Sequence, residues 1–487
     1  MTAAPTGLAK KSIGTASMFW FCIGASGPMI VLAGSIPATY ATSANIAVPL
    51  SFILLALVLA LFTVGYMAMS KHVPHAAAFY AYLSRGVGKV GGVVGGLVAL
   101  LAYNSIQICL YGLLGYTFQS FIGGQWWVWA LVIWAVIGLL GVLHVGINAT
   151  VLATVLICEL AMIVLFDLAG FLHPAVPGGI PTEPMMPSKL FGLGVGSVFA
   201  FGIAAFVGYE MAPVFGEEAR SHRTVTRATF GALVFLGLFY AAGSWAMATA
   251  EGSAQVLSPD ILGLNLPFSV IKAHYGNALY FISLLLFLTS MFASMLSFHN
   301  VVGRYVFGLS RDGVLPAALS RVGYRGSRAG APIGGSLLQS GIALVVVLAF
   351  AVTGADPYAT LFTWLATLAS LGVMLLMLVT NLAVIVFFRR GGGAQENAWQ
   401  RLIAPALGGV GLIVILGTTV ARLGDVTGTG PGSTLTIVLP GLVALTVGIG
   451  AIWGLMLRAR PDVYRRIGTG EPEPLAILEH DLNDLRV

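Results

Sequence analysis

A long apolar segment near the start of the chain is interrupted at its centre by Ile23-Gly24-Ala25-Ser26-Gly27-Pro28. Pro28 has no amide hydrogen, and its ring clashes with the carbonyl of Gly24, so a continuous helix is disfavoured here. In lipid, the backbone groups that such a break leaves unpaired are costly unless they line a cavity or bind a ligand. A helix that starts near Pro28 would direct its positive dipole end at the membrane centre, which suits a carboxylate. A proline kink satisfied by neighbouring helices is the alternative.

A later apolar segment carries the same kind of interruption, in Gly202-Ile203-Ala204-Ala205-Phe206-Val207-Gly208-Tyr209-Glu210 followed by Pro213. Pro213 frees the carbonyl of Tyr209, and Gly202 and Gly208 weaken the centre of the helix. Interrupted segments at corresponding places in two halves of a chain predict inverted repeats of five helices with a site near the membrane midplane. Two such breaks favour a ligand site over a pair of structural kinks.

The composition places both segments in a membrane protein. The chain has 487 residues, 58% of them apolar, with only 24 Lys plus Arg and 18 Asp plus Glu. A soluble chain of this length carries roughly 120 charged residues, so a soluble enzyme is excluded. No charged residue occurs within residues 12–70 or 90–158. Each stretch can hold two membrane helices of about 20 residues, and neither shows the alternating ten-residue pattern of a transmembrane β-barrel.

These segments predict an all-α polytopic membrane protein with twelve transmembrane helices, called spans 1 to 12 below. The spans lie near residues 17–40, 45–69, 91–121, 126–147, 151–172, 192–216, 229–250, 277–303, 332–353, 358–388, 402–421 and 434–457. The expected organisation is a cytoplasmic N-terminal tail (1–15), two five-helix repeats (16–172 and 190–390), two additional helices (401–457) and a cytoplasmic C-terminal tail (458–487).

The basic residues predict the orientation, because cytoplasmic loops hold the excess Lys and Arg. With the N-terminus inside, 21 basic residues face the cytoplasm and three face outside, namely Lys189, Lys272 and Arg422. Both termini are therefore predicted to be cytoplasmic, and the net charge of +6 indicates contact with anionic lipid headgroups, not with nucleic acid. Arg outnumbers Lys 18 to 6, which is typical of a bacterium with a GC-rich genome. We expect the bacterial cytoplasmic membrane.

A short apolar segment, the glycines and the cysteines give three further predictions. The apolar segment after Pro74 is too short to span and predicts a cytoplasmic re-entrant or interfacial helix. Abundant glycine within the spans predicts tight helix packing. Cys22, Cys109 and Cys158 have no partner spacing and are interpreted as small buried side chains, so we expect no disulfide and no metal site.

Three motifs together resemble those of the amino acid-polyamine-organocation (APC) superfamily of permeases. They are Phe206-Val207-Gly208-Tyr209-Glu210 with Gly216-Glu217-Glu218-Ala219-Arg220; Arg304-Tyr305-Val306-Phe307 with Arg311-Asp312-Gly313-Val314-Leu315-Pro316; and Pro74-His75-Ala76-Ala77-Ala78-Phe79-Tyr80-Ala81-Tyr82. The resemblance covers spans 1 to 10. It implies a five-plus-five inverted repeat of the leucine-transporter type with two extra helices, and a substrate held between the breaks in spans 1 and 6.

The resemblance implies a set of substrate contacts, which are assigned here to the residues at the matching positions of this chain. The amides of Ala25, Ser26 and Gly27 would bind the substrate carboxylate. The α-amine would meet the carbonyls around Ala204, Ala205 and Val207, with Phe206 as an apolar wall.

The sequence departs from the family pattern at two places. The family usually has Gly-Ser-Gly-Ile where this chain has Ala25-Ser26-Gly27-Pro28, so one amide donor is lost. Family members often carry a bulky aromatic gate at the position of Ala204. The pocket is therefore expected to be roomier, or to be gated by another residue such as Phe298.

Three acidic residues are predicted to lie within spans. A carboxylate in a membrane is a functional candidate because its charge is expensive there. Glu159 sits in the middle of span 5 and is a candidate for proton coupling; a protonated carboxyl that bonds to a neighbouring helix is the alternative. Asp167 lies near the outer end, where we expect it to be solvated. Glu210 is expected to hold the second half of span 6, with coupling or gating as a lesser role.

Hydroxyl and amide groups within the bundle give two further candidates. Ser290, Ser294 and Ser297 follow one helical face of span 8 and could supply sodium ligands, although serines more often bond to their own helix. Asn104 in span 3 could face the substrate side chain, and helix packing is an equally good interpretation. His299 is interpreted as structural.

The sequence as a whole predicts a secondary active transporter that imports an amino acid or related amine by alternating access, driven by protons. An exchanger and a sodium-coupled symporter are the alternatives. A channel would favour a continuous polar pore, and a membrane enzyme would need converging catalytic groups. We expect no cofactor, since the chain has no phosphate-binding Gly-rich loop with Lys and Ser or Thr. The particular substrate and the oligomeric state are not indicated.

Overall fold

The computed structural model describes residues 8, 11–143, 145–176, 179–192, 194–258, 265–323, 326–393, 395–430 and 432–470, without the side chains of residues 145–149 and 151. Most of the predicted N-terminal tail (1–15) and the second half of the predicted C-terminal tail (458–487) lie outside this part of the chain. Across the described ranges the chain is helical, with isolated β-bridges and no β-strand. The all-helical prediction is confirmed.

Eleven helical segments are long and apolar enough to cross a membrane, so the chain is an integral membrane protein. They are Thr15–Ser43, Val48–Ser70, Lys89–Ile122, Leu152–Leu172, Val195–Phe215, His222–Glu251, Leu266–Arg311, Ile333–Val352, Pro357–Arg389, Trp399–Ala421 and Leu435–Ala459. The predicted span 4 is the helix Trp126–Gly141, which is apolar but has only 16 residues. Eleven of the twelve predicted spans therefore have the length of a membrane helix, and the number twelve is not confirmed.

Span 1 is broken at a single residue. Its first α-helix, Thr15–Ser26, runs through Gly24 and ends where Gly27 adopts a left-handed conformation with φ +56°. The chain then continues as Pro28–Ile30, a π-helical turn Val31–Ser35 and the helix Ile36–Ser43. Pro28 fits here because the first position of a helix needs no amide donor. The break thus lies at Gly27, three residues after Gly24. The Gly24 carbonyl accepts the amide of Gly27 at 3.2 Å.

Span 6 is broken over two residues. The helix Val195–Phe206 ends at Val207, which is extended, and at Gly208, which has φ +115°. Only glycine adopts such a conformation readily. The second half of the span is a 3₁₀-helix, Tyr209–Phe215, and it contains Pro213. The breaks predicted for spans 1 and 6 are therefore both present.

Two helices that the sequence predicts are present, whereas one residue predicted to be buried is exposed. The predicted short helix after Pro74 is Ala78–Gly86, and it is almost wholly buried. The long helix Leu266–Arg311 is kinked at Gly276, so span 8 itself starts at residue 277 as predicted. Cys22 and Cys109 are buried, but Cys158 is exposed on the bundle surface. The predicted burial of Cys158 is therefore wrong, and its neighbour Ile157 is exposed as well.

The two ends of the bundle differ in character. At one end, called the basic end below, basic side chains from several loops reach across to other elements: Lys71 meets Glu396, Lys89 meets the carbonyl of Tyr464, and Arg311 meets Glu217. The other end, called the cavity end, contains the kink at Gly276 and the segment after Ala421. The two sets of loops lie at opposite ends of the membrane-spanning helices.

Candidate functional site

The two helix breaks touch each other at the centre of the bundle. A Cβ atom built on Gly208 would lie 2.6 Å from the Cβ of Ala25, so only glycine allows this approach. The Ser26 hydroxyl donates to the carbonyl of Cys22 at 3.2 Å and lies 3.4 Å from that of Val207, across the gap between the spans. The structure therefore brings together Ala25, Ser26, Val207 and Gly208.

Hydroxyl groups of neighbouring spans bind the carbonyls at the first break. Ser294 donates to the carbonyl of Ala25 at 2.7 Å, and Tyr240 donates to that of Ser26 at 3.4 Å. The Ser297 hydroxyl lies 3.1 Å from a Cβ position on Gly24 and has no hydrogen-bond partner among the described residues. The predicted serine face of span 8 thus meets span 1 at its break.

Glu210 binds the second break from behind. Its carboxylate is fully buried, accepts the amide of Gly208 at 2.8 Å and accepts the hydroxyl of Tyr103 at 2.9 Å. The carboxylate thereby satisfies an amide that the unwound segment leaves without a helical partner. These contacts fit the predicted holding role of Glu210, which stays a prediction.

Glu159 is buried, and the hydroxyl of Ser290 lies beside its carboxyl group. Within the described part of the chain, neither carboxylate oxygen accepts a hydrogen bond of ordinary geometry. A buried carboxyl without partners is costly when charged. Asp167 is half-buried, and its Oδ1 lies 3.6 Å from a Cβ position on Gly243 in span 7, with no hydrogen bond from the described residues. The expectation that Asp167 is solvated stays a prediction.

A cavity of about 390 Å³ opens at the cavity end. It runs between spans 1, 3, 6, 8 and 10 and the segment after span 11. Its lining comprises Ile30, Gly34, Ser35, Ala38, Thr42, Leu113, Ala200, Phe201, Ala204, Phe287, Tyr358, Ala359, Phe362, Thr363, Ala366, Thr367, Ser370, Thr419, Asp425, Val426, Thr427 and Gly428. Of the predicted substrate residues, Ala204 alone lines this cavity, where its small side chain leaves room.

The remaining predicted substrate residues lie away from the cavity. Phe206 packs between Phe52 and Tyr240, and Phe298 is fully buried beside Tyr103. Asn104 donates to the carbonyl of Leu100 in its own helix at 2.6 Å.

The backbone groups predicted to bind substrate are largely occupied in this conformation. The amide of Gly27 donates to two carbonyls of its own helix, and Ala25 and Ser26 lie in the last turn of that helix. At the second break, the Ala204 carbonyl accepts the amide of Val207 at 3.2 Å. Substrate binding by these residues stays a prediction.

Sequence reasoning missed the polar lining contributed by spans 10 and 11 and by the segment that follows. Thr363, Thr367 and Ser370 lie in span 10, and Asp425 and Thr427 follow span 11. Thr363, Thr367 and Ser370 recur at intervals of three to four residues, so they share one helical face that a periodicity search would detect. No sequence pattern around Asp425 indicates a site, because this residue reaches the cavity only when its segment folds back onto the bundle.

The three sequence motifs converge at the basic end. Glu217 accepts the amide of Ala76 at 2.8 Å and two hydrogen bonds from Arg311 at 2.7 Å. Glu218 binds Arg304 through two hydrogen bonds of 2.5 and 3.0 Å. Asp312 accepts the hydroxyl of Tyr80 at 2.9 Å. Residues from all three motifs thus close the basic end around buried charges.

Comparisons with known proteins agree with this arrangement. A solved structure of a Na⁺-coupled sialic acid symporter, in a substrate-bound outward-open state, superposes with a TM-score of 0.51 and 13% sequence identity, over 84% of this chain and 90% of that chain. At this identity the likeness concerns the fold, which is that of a transporter. A search of curated protein sequences gave no match. The profile of the amino acid permease family matches residues 13–449, nearly the whole chain. The predicted resemblance is confirmed: the chain is a transporter that belongs to the amino acid permease family of the APC superfamily.

Proposed function

We propose that this permease imports an amino acid or related amine across the bacterial cytoplasmic membrane by alternating access, coupled to protons. The contact between the two broken helices, with a cavity on one side of it and buried ion pairs on the other, carries the proposal. A channel would need a continuous polar path. Here the path ends at Ala204, and the residues beyond it are packed.

The proposal includes an orientation and a state. The basic end faces the cytoplasm, in accordance with the positive-inside rule, and both termini lie there. The open cavity then faces outside, so the described conformation is outward-facing. Five-helix repeats (16–172 and 190–390) related by inverted symmetry would supply the two alternating packings.

We further propose that substrate binds where the breaks meet. Separation of span 1 from span 6 would release the Ser26 hydroxyl and the Val207 carbonyl, which lie 3.4 Å apart. The substrate carboxylate would then bind the amides of Ala25, Ser26 and Gly27. Its amine would bind carbonyls of Ala205 and Val207, beside Phe206 and Ala204.

Proton coupling is assigned to Glu159. Its carboxyl is buried and has no ion-pair partner among the described residues, so a proton is the simplest ion that removes its charge. Ser290 faces it, and Ser294 in the same helix binds the carbonyl of Ala25. Span 8 thereby links the carboxyl to the first break, which gives protonation a route to the substrate site.

Sodium coupling is the second candidate. The solved relative in fold is described as Na⁺-coupled, and in this chain Ser294 and Ser297 direct hydroxyls at the first break. Hard cations prefer such oxygen ligands. Exchange of internal for external substrate uses the same geometry without net ion flow.

Uptake by proteoliposomes tests the proposal. Purified protein is given a labelled amino acid mixture under an inward proton gradient without sodium, as wild type, as Glu159→Gln and as the matched Asp167→Asn. Accumulation that requires the gradient, is lost in Glu159→Gln and persists in Asp167→Asn is expected. Accumulation that persists in Glu159→Gln would discard Glu159, and accumulation only with sodium would favour the serine face. No uptake and no exchange from preloaded liposomes would overturn the proposed function.

A further inference from the structure

The cavity has an electrostatic asymmetry that the proposed function does not use. Among the described residues that line it, Asp425 is the only one with a side chain charged at neutral pH. The other described lining residues are small, aliphatic or hydroxyl-bearing, together with the rings of Phe201, Phe287 and Phe362. A single carboxylate beside apolar walls concentrates a negative potential within the cavity, because low-dielectric walls focus the field.

The Asp425 carboxylate is not committed to the protein. Its ion-pair partner is Arg422, at 3.7 Å between Nη1 and Oδ2, which exceeds hydrogen-bond distance. The two side chains are 32% and 59% exposed, and Arg422 does not line this cavity. Within the described part of the chain, the Asp425 carboxylate accepts no hydrogen bond.

A second carboxylate nearby shows the contrast. Asp356 lies two residues before Tyr358 and three before Ala359, two cavity residues, and its Oδ1 accepts their amides at 2.8 and 2.6 Å. This oxygen caps the start of span 10. Of the two carboxylates, Asp425 is the one that lines the cavity and accepts no hydrogen bond from the described residues, which leaves it able to bind a cation.

We propose that Asp425 makes this cavity a recognition subsite for the ammonium group of an apolar amine or amino acid. The inference rests on the proposed function and deepens it by naming the group that is recognised on the way in. The ammonium group binds the carboxylate, and aromatic faces of the cavity add cation–π attraction. The apolar body of the ligand packs against Phe201 and Phe287. A volume of about 390 Å³ admits a phenyl-sized group with its amine.

Two phenyl-bearing probes of similar size and opposite charge test the subsite: 2-phenylethylamine and 3-phenylpropionate. The full-length protein in detergent is titrated with each, and the dissociation constant is obtained from the rise of the thermal unfolding midpoint. No gradient or transport is involved, so binding can fail while uptake succeeds, and the reverse. We expect the amine to bind at least tenfold more tightly than the carboxylate.

Three variants supply the charge test. Asp425→Asn is expected to weaken amine binding about fivefold, as one charge at about 4 Å in water predicts. Arg422→Gln is expected to tighten it about twofold, because the competing cation is removed. Asp356→Asn, which removes a charge of the same sign at the same rim, is expected to change it less than twofold. Unfolding midpoints without ligand check that each variant is folded.

Several outcomes would contradict the proposed subsite. Equal weakening in Asp425→Asn and Arg422→Gln would mean that the pair only holds the segment after span 11. Equal effects of Asp425→Asn and Asp356→Asn would mean a diffuse surface field. Competition by NaCl, but not by KCl at equal ionic strength, would assign the carboxylate to sodium instead of an ammonium group. Equal affinity for both probes would remove charge recognition altogether.

Discussion

The two ends of the bundle carry ion pairs of very different quality. At the basic end, Arg304 and Glu218 are each 1% exposed and form two hydrogen bonds of 2.5 and 3.0 Å. At the cavity end, Arg422 and Asp425 are 59% and 32% exposed and 3.7 Å apart. A buried pair is costly to break, whereas an exposed pair contributes little. The described conformation is therefore stabilised more by the ion pairs of the basic end than by that of the cavity end.

The buried pairs of the basic end bear on the transport cycle. If the basic end opens during the cycle, its pairs must separate into water, which compensates for the lost contacts by hydrating both charges. The same pairs broken by mutation, without opening, leave a buried charge unpaired. Mutation at the basic end should therefore both destabilise the protein and favour opening.

The largest effect is expected for Arg304→Met. The substitution leaves Glu218 buried without its partner, which typically costs 3–5 kcal/mol of unfolding free energy. It also removes the guanidinium that lies 4.5 Å from the ring of Phe215. The unfolding midpoint of the purified protein measures the loss, and the double variant Arg304→Met/Glu218→Leu should recover part of it.

Opening of the basic end can be followed by the native thiol of Cys22. This residue is fully buried beside the second half of span 6, near Met211 and Ala212. In a background of Cys109→Ala/Cys158→Ala, N-ethylmaleimide should label Cys22 faster in Arg304→Met than in the parent. Unchanged labelling together with an unchanged midpoint would show that the pair does not hold the basic end closed.

A smaller effect is expected where the segment after span 12 docks under the basic end. The amide of Gly468 donates to Asp312 at 2.8 Å, and Ile467 is 1% exposed. Gly468 has φ +74°, and an added Cβ would lie 2.4 Å from that of Ser84. Gly468→Ala should therefore cost about 1–2 kcal/mol, the usual penalty for a side chain in the left-handed region.

A second glycine serves as a control, because it separates the loss of stability specific to Gly468→Ala from a general effect of replacing glycine by alanine. Gly441 lies in span 12 with no atom within 4 Å of an added Cβ and without a left-handed φ. Gly441→Ala should leave the midpoint unchanged or raise it, since alanine favours a helix over glycine. Similar losses in the two variants would contradict a specific docking of Gly468. Faster Cys22 labelling in Gly468→Ala alone would link the docked segment to closure.

The sequence predicted the helix breaks because proline and glycine act locally. Pro28 and Gly208 impose backbone conformations that need no knowledge of the rest of the chain. It could not predict that Phe298 is buried beside Tyr103, because a side chain's direction depends on the rotation of a whole span. A rotation of one residue, about 100°, moves a side chain from one neighbour to another.

The cavity was harder to predict than the breaks for a related reason. Ala204 belongs to the interrupted segment of span 6 that the sequence singles out, and it lines the cavity. Asp425 lies more than 200 residues away in sequence, in a segment with no motif. Its approach to the cavity depends on the packing of span 11 against spans 2, 6 and 10, which is a long-range property of the fold.

The smallest effect on stability is expected for Arg422→Gln at the cavity end. Because this pair is exposed and 3.7 Å apart, its removal should change the unfolding free energy by no more than about 0.5 kcal/mol. The thermal midpoint without ligand measures this change beside that of Arg304→Met. A loss as large as that of Arg304→Met would contradict the contrast between the two ends. A near-zero loss, together with tighter amine binding, would show that charges at the cavity end act on the ligand while those at the basic end act on the fold.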